Sequence, residues 1–168
     1  MRKIIYNLPI WIFMLATTGC AMLQQNPPST EEKRKISENF SAQSRIAIAE
    51  CFHARAIVGD SVWAGWSKSI IPVNIVTWNY EYLINYPNPP SKYTFLEHDN
   101  LLQTDVYFKK RTFKQLLIGT ARPVNGKLTA FFSPIEQFKE KLPFVDTNFY
   151  RTLLMHEMFH IYQLLSPA

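Results

Sequence analysis

Phe149-Tyr150-Arg151-Thr152-Leu153-Leu154-Met155-His156-Glu157-Met158-Phe159-His160-Ile161-Tyr162-Gln163-Leu164-Leu165 carries neither Gly nor Pro, and Pro167 follows it. Asp146, Thr147 and Asn148 each offer a side-chain oxygen to cap its start, so the stretch predicts a helix. At about 100° per residue, His160 lies roughly 40° and Glu157 roughly 100° around the axis from His156. Tyr150, Leu153, Leu154, Ile161, Leu164 and Leu165 spread apolar surface around the remainder, which predicts a well-buried helix.

Upstream, polar and apolar residues alternate between two periodicities. From about Glu31 to Val58, Ile36, Phe40, Ile46, Ile48, Ala49, Phe52, Ala56 and Ile57 recur at helical spacing, and Gly59-Asp60 closes the run. Ser29 or Thr30 ahead of Glu31 and Glu32 suits its N-terminus. The middle reads as sheet. Ile70–Trp78 and Glu81–Tyr86 form an expected hairpin, and Asp105–Phe108 and Gln115–Thr120 are further strands. Leu128–Phe132 is a returning strand after the Asn125-Gly126 turn. The fold class is therefore α+β: an N-terminal helix, antiparallel strands and hairpins, then the C-terminal helix. No internal repeat appears.

At 168 residues the chain has room for one domain with its own core. Met1-Arg2-Lys3 followed by the apolar Ile4–Ala16 reads as a targeting signal. Thirteen helical residues cover about 20 Å, short of a bilayer core of about 30 Å. The expected organisation is a signal peptide over 1–19, a polar and proline-bearing tether over 20–30, and a single domain, complete or partial, over 31–168. Net charge is +5; without Arg2 and Lys3 it is +3, with 16 basic against 13 acidic side chains. So mild a balance argues against nucleic acid as a partner, and Lys109-Lys110-Arg111 with Lys114 reads as a solvated face. Cys51, in an alanine-rich helical context, reads as a buried and inert thiol. His53 reads as structural or surface.

His156-Glu157-Met158-Phe159-His160 fits H-E-x-x-H. Imidazoles four residues apart share one side of a helix, so both can bind one Zn2+ at about 2.0–2.1 Å. Glu157 then stands beside the metal, placed to take a proton from water and return it to a leaving amine. His156 and His160 are thus the expected metal ligands and Glu157 the expected general base.

Leu154–Gln163 resembles the active-site helix of the zincin metallopeptidases, with an apolar residue before the motif and apolar or aromatic residues within it. The resemblance covers about the last twenty residues. It implies zinc-dependent cleavage of a peptide or protein substrate, and an edge strand lining the substrate cleft, for which Leu128–Phe132 is the expected strand. The metzincin continuation is absent, since Gln163 and Ser166 stand where that subfamily has Gly and the third His. A gluzincin-like site takes its third ligand from a downstream helix, and Ala168 arrives before one starts. Three expectations follow: a longer enzyme of which this is the front part, a third ligand from the Glu97-His98-Asp99 cluster, or a remnant that binds metal weakly or not at all.

Thr17-Thr18-Gly19-Cys20 resembles a bacterial lipoprotein lipobox, with cleavage there without lipidation as the alternative expectation. It implies lipidation of Cys20 and anchoring to a membrane of the bacterial cell envelope, the outer membrane facing the periplasm in a Gram-negative cell. A competing expectation is a non-catalytic envelope lipoprotein that binds a partner through Trp63, Trp66, Trp78, Tyr80 and Tyr82. A chain that does not fold stably is a third.

Overall fold

The computed structural model describes residues 27–115 and 117–165. The expected signal peptide, Cys20 and most of the tether lie outside them. The described residues form an α+β architecture, with four helices and one six-stranded sheet. No described helix is long and apolar enough to cross a membrane.

The expected N-terminal helix is two helices, α1 (Thr30–Glu38) and α2 (Ala42–Val62). The break falls where hydroxyls can cap. Ser29 Oγ accepts from Glu32 N–H at 3.2 Å, and Ser41 Oγ accepts from Ser44 N–H at 3.1 Å. Periodicity alone does not register the interruption, because Ile36 before it and Phe40 within it are both buried at four-residue spacing. Nor does Gly59 end α2. It lies within the helix, where a Cβ would stand 2.9 Å from the Ser67 backbone nitrogen, so glycine lets the following loop fold back closely.

Six strands follow: β1 (Val73–Val76), β2 (Tyr80–Ile84), β3 (Thr94–Asp99), β4 (Thr104–Lys110), β5 (Gly119–Val124) and β6 (Lys127–Phe132). Their spatial order is β3-β4-β2-β1-β6-β5. Every pair is antiparallel except β1–β6, which is parallel. The β1–β2 hairpin is the expected one, with narrower bounds. The β5–β6 turn places Asn125 at φ 45° and Gly126 at φ 79°, the left-handed pair that such a two-residue hairpin needs. The strand expected over Gln115–Thr120 starts only at Gly119 and runs on to Val124.

Two elements escaped the sequence reading. β3 holds Glu97, His98 and Asp99 on an edge strand with a register shift between Phe95 and Glu97, so its alternation is broken. The short helix α3 (Ile135–Lys141) follows Pro134. The last helix, α4 (Thr147–Leu165), is the expected one, and Asp146 Oδ1 accepts from Phe149 N–H at 2.7 Å.

The helices cover one face of the sheet. Val73, Ile75, Tyr82, Ile84, Val106, Ala130 and Phe132 meet Ile48, Cys51, Tyr150, Leu154, Met158 and Ile161 there. The other face is closed by the 85–93 and 111–115 segments, with Tyr86, Tyr93 and Phe113 against Leu83, Val76 and Phe131. At that face Glu81, 1% exposed, gathers hydrogen bonds from Lys109 Nζ at 2.9 Å, Asn74 Nδ2 at 3.1 Å and Thr112 N–H at 2.7 Å. Lys109 is therefore not part of a solvated basic face. Arg111 is likewise held, donating to Phe113 O at 2.7 Å and Thr77 O at 3.0 Å.

Candidate metal centre

α4 is pinned along its length. Near its start, Tyr150 is fully buried among Phe132 and Phe138, and its hydroxyl donates to Ser133 O at 3.0 Å. Arg151 pairs with Glu50 on α2. Further on, Phe159 packs edge-on against Trp66 at 4.8 Å and Trp63 at 5.7 Å, and the Tyr162 hydroxyl donates to Ala64 O. These contacts put α2 and its following loop along one flank of α4. Packed rotamers of this kind hold the exposed side chains in fixed directions.

The helix is half-buried, not enclosed. Tyr150, Leu154, Met158, Ile161 and Tyr162 face the core, whereas Phe149, His156, His160, Gln163 and Leu164 face outward. The expectation of a well-buried helix is corrected here: Leu164 and Leu165 are 70% and 51% exposed. Apolar residues on every side of a helical wheel do not say which side a sheet will cover.

On that outward face His156 and His160 converge. Their Nε2 atoms are 2.8 Å apart and the rings meet edge-on, with centroids 4.2 Å apart. Tetrahedral coordination at about 2.0–2.1 Å would set the same two atoms about 3.3 Å apart, so a small rotation of either ring seats an ion. Gln163 Oε1 lies 3.1 Å from His160 Nδ1. With Nδ1 protonated towards Gln163, the Nε2 lone pair of His160 is turned to the shared position. In the sequence Gln163 stands out only as a departure from the metzincin pattern. Its i+3 spacing from His160 was the available signal for a supporting role.

Glu157 is half-buried, and its position around the helix axis lies away from Arg151, Phe159 and Tyr162, which meet α2 and its following loop. α4 crosses β5 and β6, and Gly119 and Ala121 of β5 pair with Phe132 and Ala130. Small residues at those two positions let the helix lie close to the sheet margin. The strand expected to line a cleft, Leu128–Phe132, is corrected by the topology. β6 is interior, paired on both sides, and the free margin beside α4 is β5.

Glu97, His98 and Asp99 do not complete the centre. They lie on β3, at the opposite edge of the sheet from the strands under α4. Arg45 pairs with Glu97 at 2.8 Å and with Asp99, and His98 Nδ1 is 2.8 Å from Asp105 Oδ1. Among the described residues no group of three His, Cys, Asp or Glu is placed to hold a metal ion. The donor set at α4 thus fits two ligands of a zinc site and supplies no third.

The remaining sequence expectations sort cleanly. Cys51 is a free thiol, 1% exposed, and burial pushes its pKa up to about 12, as expected of an inert core residue. His53 is exposed. The five aromatics expected to form a binding surface do not form one, since Trp66 and Tyr82 are 5% and 0% exposed while Trp63 and Trp78 remain near half exposed.

No family model, curated protein or solved structure matches the chain.

Proposed function

We propose that His156, His160 and Glu157 form the core of a zinc-dependent, zincin-like hydrolytic site acting on a peptide or protein substrate. The chain that carries it is held at the bacterial cell envelope through Cys20. The observation that supports this reading is the convergence of two imidazole nitrogens at 2.8 Å on the uncovered face of a helix pinned at both ends. At 2.8 Å the two imidazoles also share a hydrogen bond, one Nε2–H donating to the other's lone pair, and the metal would take the place of that proton.

In this reading His156 and His160 would hold the ion through Nε2, together with a third ligand from outside the described residues, and Gln163 orients His160. The Lewis acidity of zinc, when bound, would bring a water's pKa to about 7. Glu157, on the β5 flank, accepts the proton of the attacking water and delivers it to the leaving amine. The exposed margin of β5 offers unpaired backbone groups to an extended substrate.

The test combines metal content with activity. The full chain is equilibrated with zinc, dialysed, and analysed by mass spectrometry beside Glu157→Gln and His156→Ala/His160→Ala. Bound zinc in wild type and Glu157→Gln, its loss in the double variant, and peptide hydrolysis by wild type alone support the reading. Equal zinc in wild type and the double variant refutes it.

A further inference from the structure

One cleft lies away from α4. It measures about 610 Å³ and is lined by Trp78, Asn79, Tyr80 and the 110–114 segment. Its wall has three cations, Lys110, Arg111 and Lys114, and no carboxylate. Arg111 is clasped by backbone carbonyls, which orient a guanidinium without cancelling its charge. Lys109 is different, because it is neutralised against Glu81 on the sheet. Trp78, 45% exposed, stacks near Arg111 at 5.7 Å and Lys141 at 6.0 Å. An exposed indole ringed by cations suits the headgroup level of a bilayer, where one side of the ring is wet and the other apolar.

A second cleft adjoins the first, sharing Tyr80 and Lys110 and adding Lys92, Lys109 and the acidic Glu32. Pro27 and Pro28 line it too, so the chain arriving from the apolar Ile4–Ala16 segment enters the domain here. Seven peptide steps from Cys20 to Pro27 reach at most about 25 Å. A domain of this size is about 35–40 Å across. An anchor at Cys20 therefore favours presenting the face around Pro27 to the membrane over the far side of the domain.

We propose that the Trp78, Tyr80, Lys110, Arg111 and Lys114 cleft is the face with which the protein lies on an anionic phospholipid surface. The proposal rests on the envelope-anchored reading given above and adds its second attachment. A lipidated cysteine holds the chain at the bilayer, and a basic patch adds an electrostatic contact with anionic headgroups. The cleft also fixes which side of the domain meets the bilayer.

The test is co-sedimentation of the full chain with neutral phosphatidylcholine vesicles and with vesicles containing phosphatidylglycerol, in 0.1 M salt. Binding to the anionic vesicles is expected to be tighter by tenfold or more, with the difference collapsing at high salt. Lys110→Glu/Lys114→Glu should weaken anionic binding about thirtyfold and leave neutral binding unchanged. Lys68→Glu/Lys127→Glu, the same charge change elsewhere, should leave both near wild type. Equal losses in the two double variants overturn the proposal, since only net charge would then matter. Equal wild-type binding to both vesicles overturns it while leaving the anchor intact, and binding to neither removes anchor and patch together. Abolition of the anionic preference by millimolar glycerol phosphate would assign the cleft to a small soluble anion instead.

Discussion

Replacing Glu81 by Ala should be the most damaging single change outside the apolar core. The carboxylate is 1% exposed and accepts from Lys109 Nζ, Asn74 Nδ2, Thr112 N–H and Oγ1, and Phe113 N–H. Its loss strands a half-buried ammonium and two backbone donors and frees the loop that closes the second face of the sheet. Breaking a buried ion pair by removing one partner costs about 3–5 kcal/mol. For a domain of this size that is a fall in Tm of about 10–15 °C. Urea and thermal unfolding followed by tryptophan fluorescence measure both quantities. Adding Lys109→Met to Glu81→Ala should recover part of the loss, because the orphaned charge is then gone. A Glu81→Ala protein within about 1 kcal/mol of wild type would refute the account. The pH dependence has a definite sign. Burial pushes the Glu81 carboxyl up, but the hydrogen bonds from Thr112, Lys109 and Asn74 outweigh it and hold the group below the usual carboxylate range. Its stabilisation is thus fully present above the unfolded value of about 4.3 and lost as pH falls through the lower folded value. Glu81→Gln should flatten stability across that acid window.

Other outcomes follow from the same packing. Cys51, with its thiol pushed up to about 12, should resist iodoacetamide at pH 8 in the folded protein and react promptly in urea; fast native labelling would contradict its burial. Asp146→Ala removes the cap oxygen that accepts from Phe149 N–H, and should cost about 1 kcal/mol by urea unfolding, with Asp146→Asn close to wild type.

The sites that misled the sequence reading share a cause. Glu97 and Asp99 looked like spare ligands because carboxylates close in sequence can share a metal. Their charges are instead taken by Arg45, more than fifty residues away in the chain for both. Lys109 looked solvated because its neighbours are basic, yet strand pairing places it opposite Glu81. An ion pair across a sheet depends on register, and register has no signature in either segment alone.

Short-range physics accounts for everything that could be read from the residues alone. A Gly- and Pro-free run behind Asp146 makes α4, Asn125-Gly126 makes the β5–β6 hairpin, and four-residue spacing brings His156 and His160 together whatever the rest of the chain does. Tertiary structure alone decided which side of α4 is covered, which strand is left as the sheet margin, and which charges are spent on one another. It placed the histidines outward, made β5 the free edge, and turned Arg45 and Glu81 into internal clasps. Burial and edge position are properties of the assembled layers, since they depend on distant segments competing for the same face.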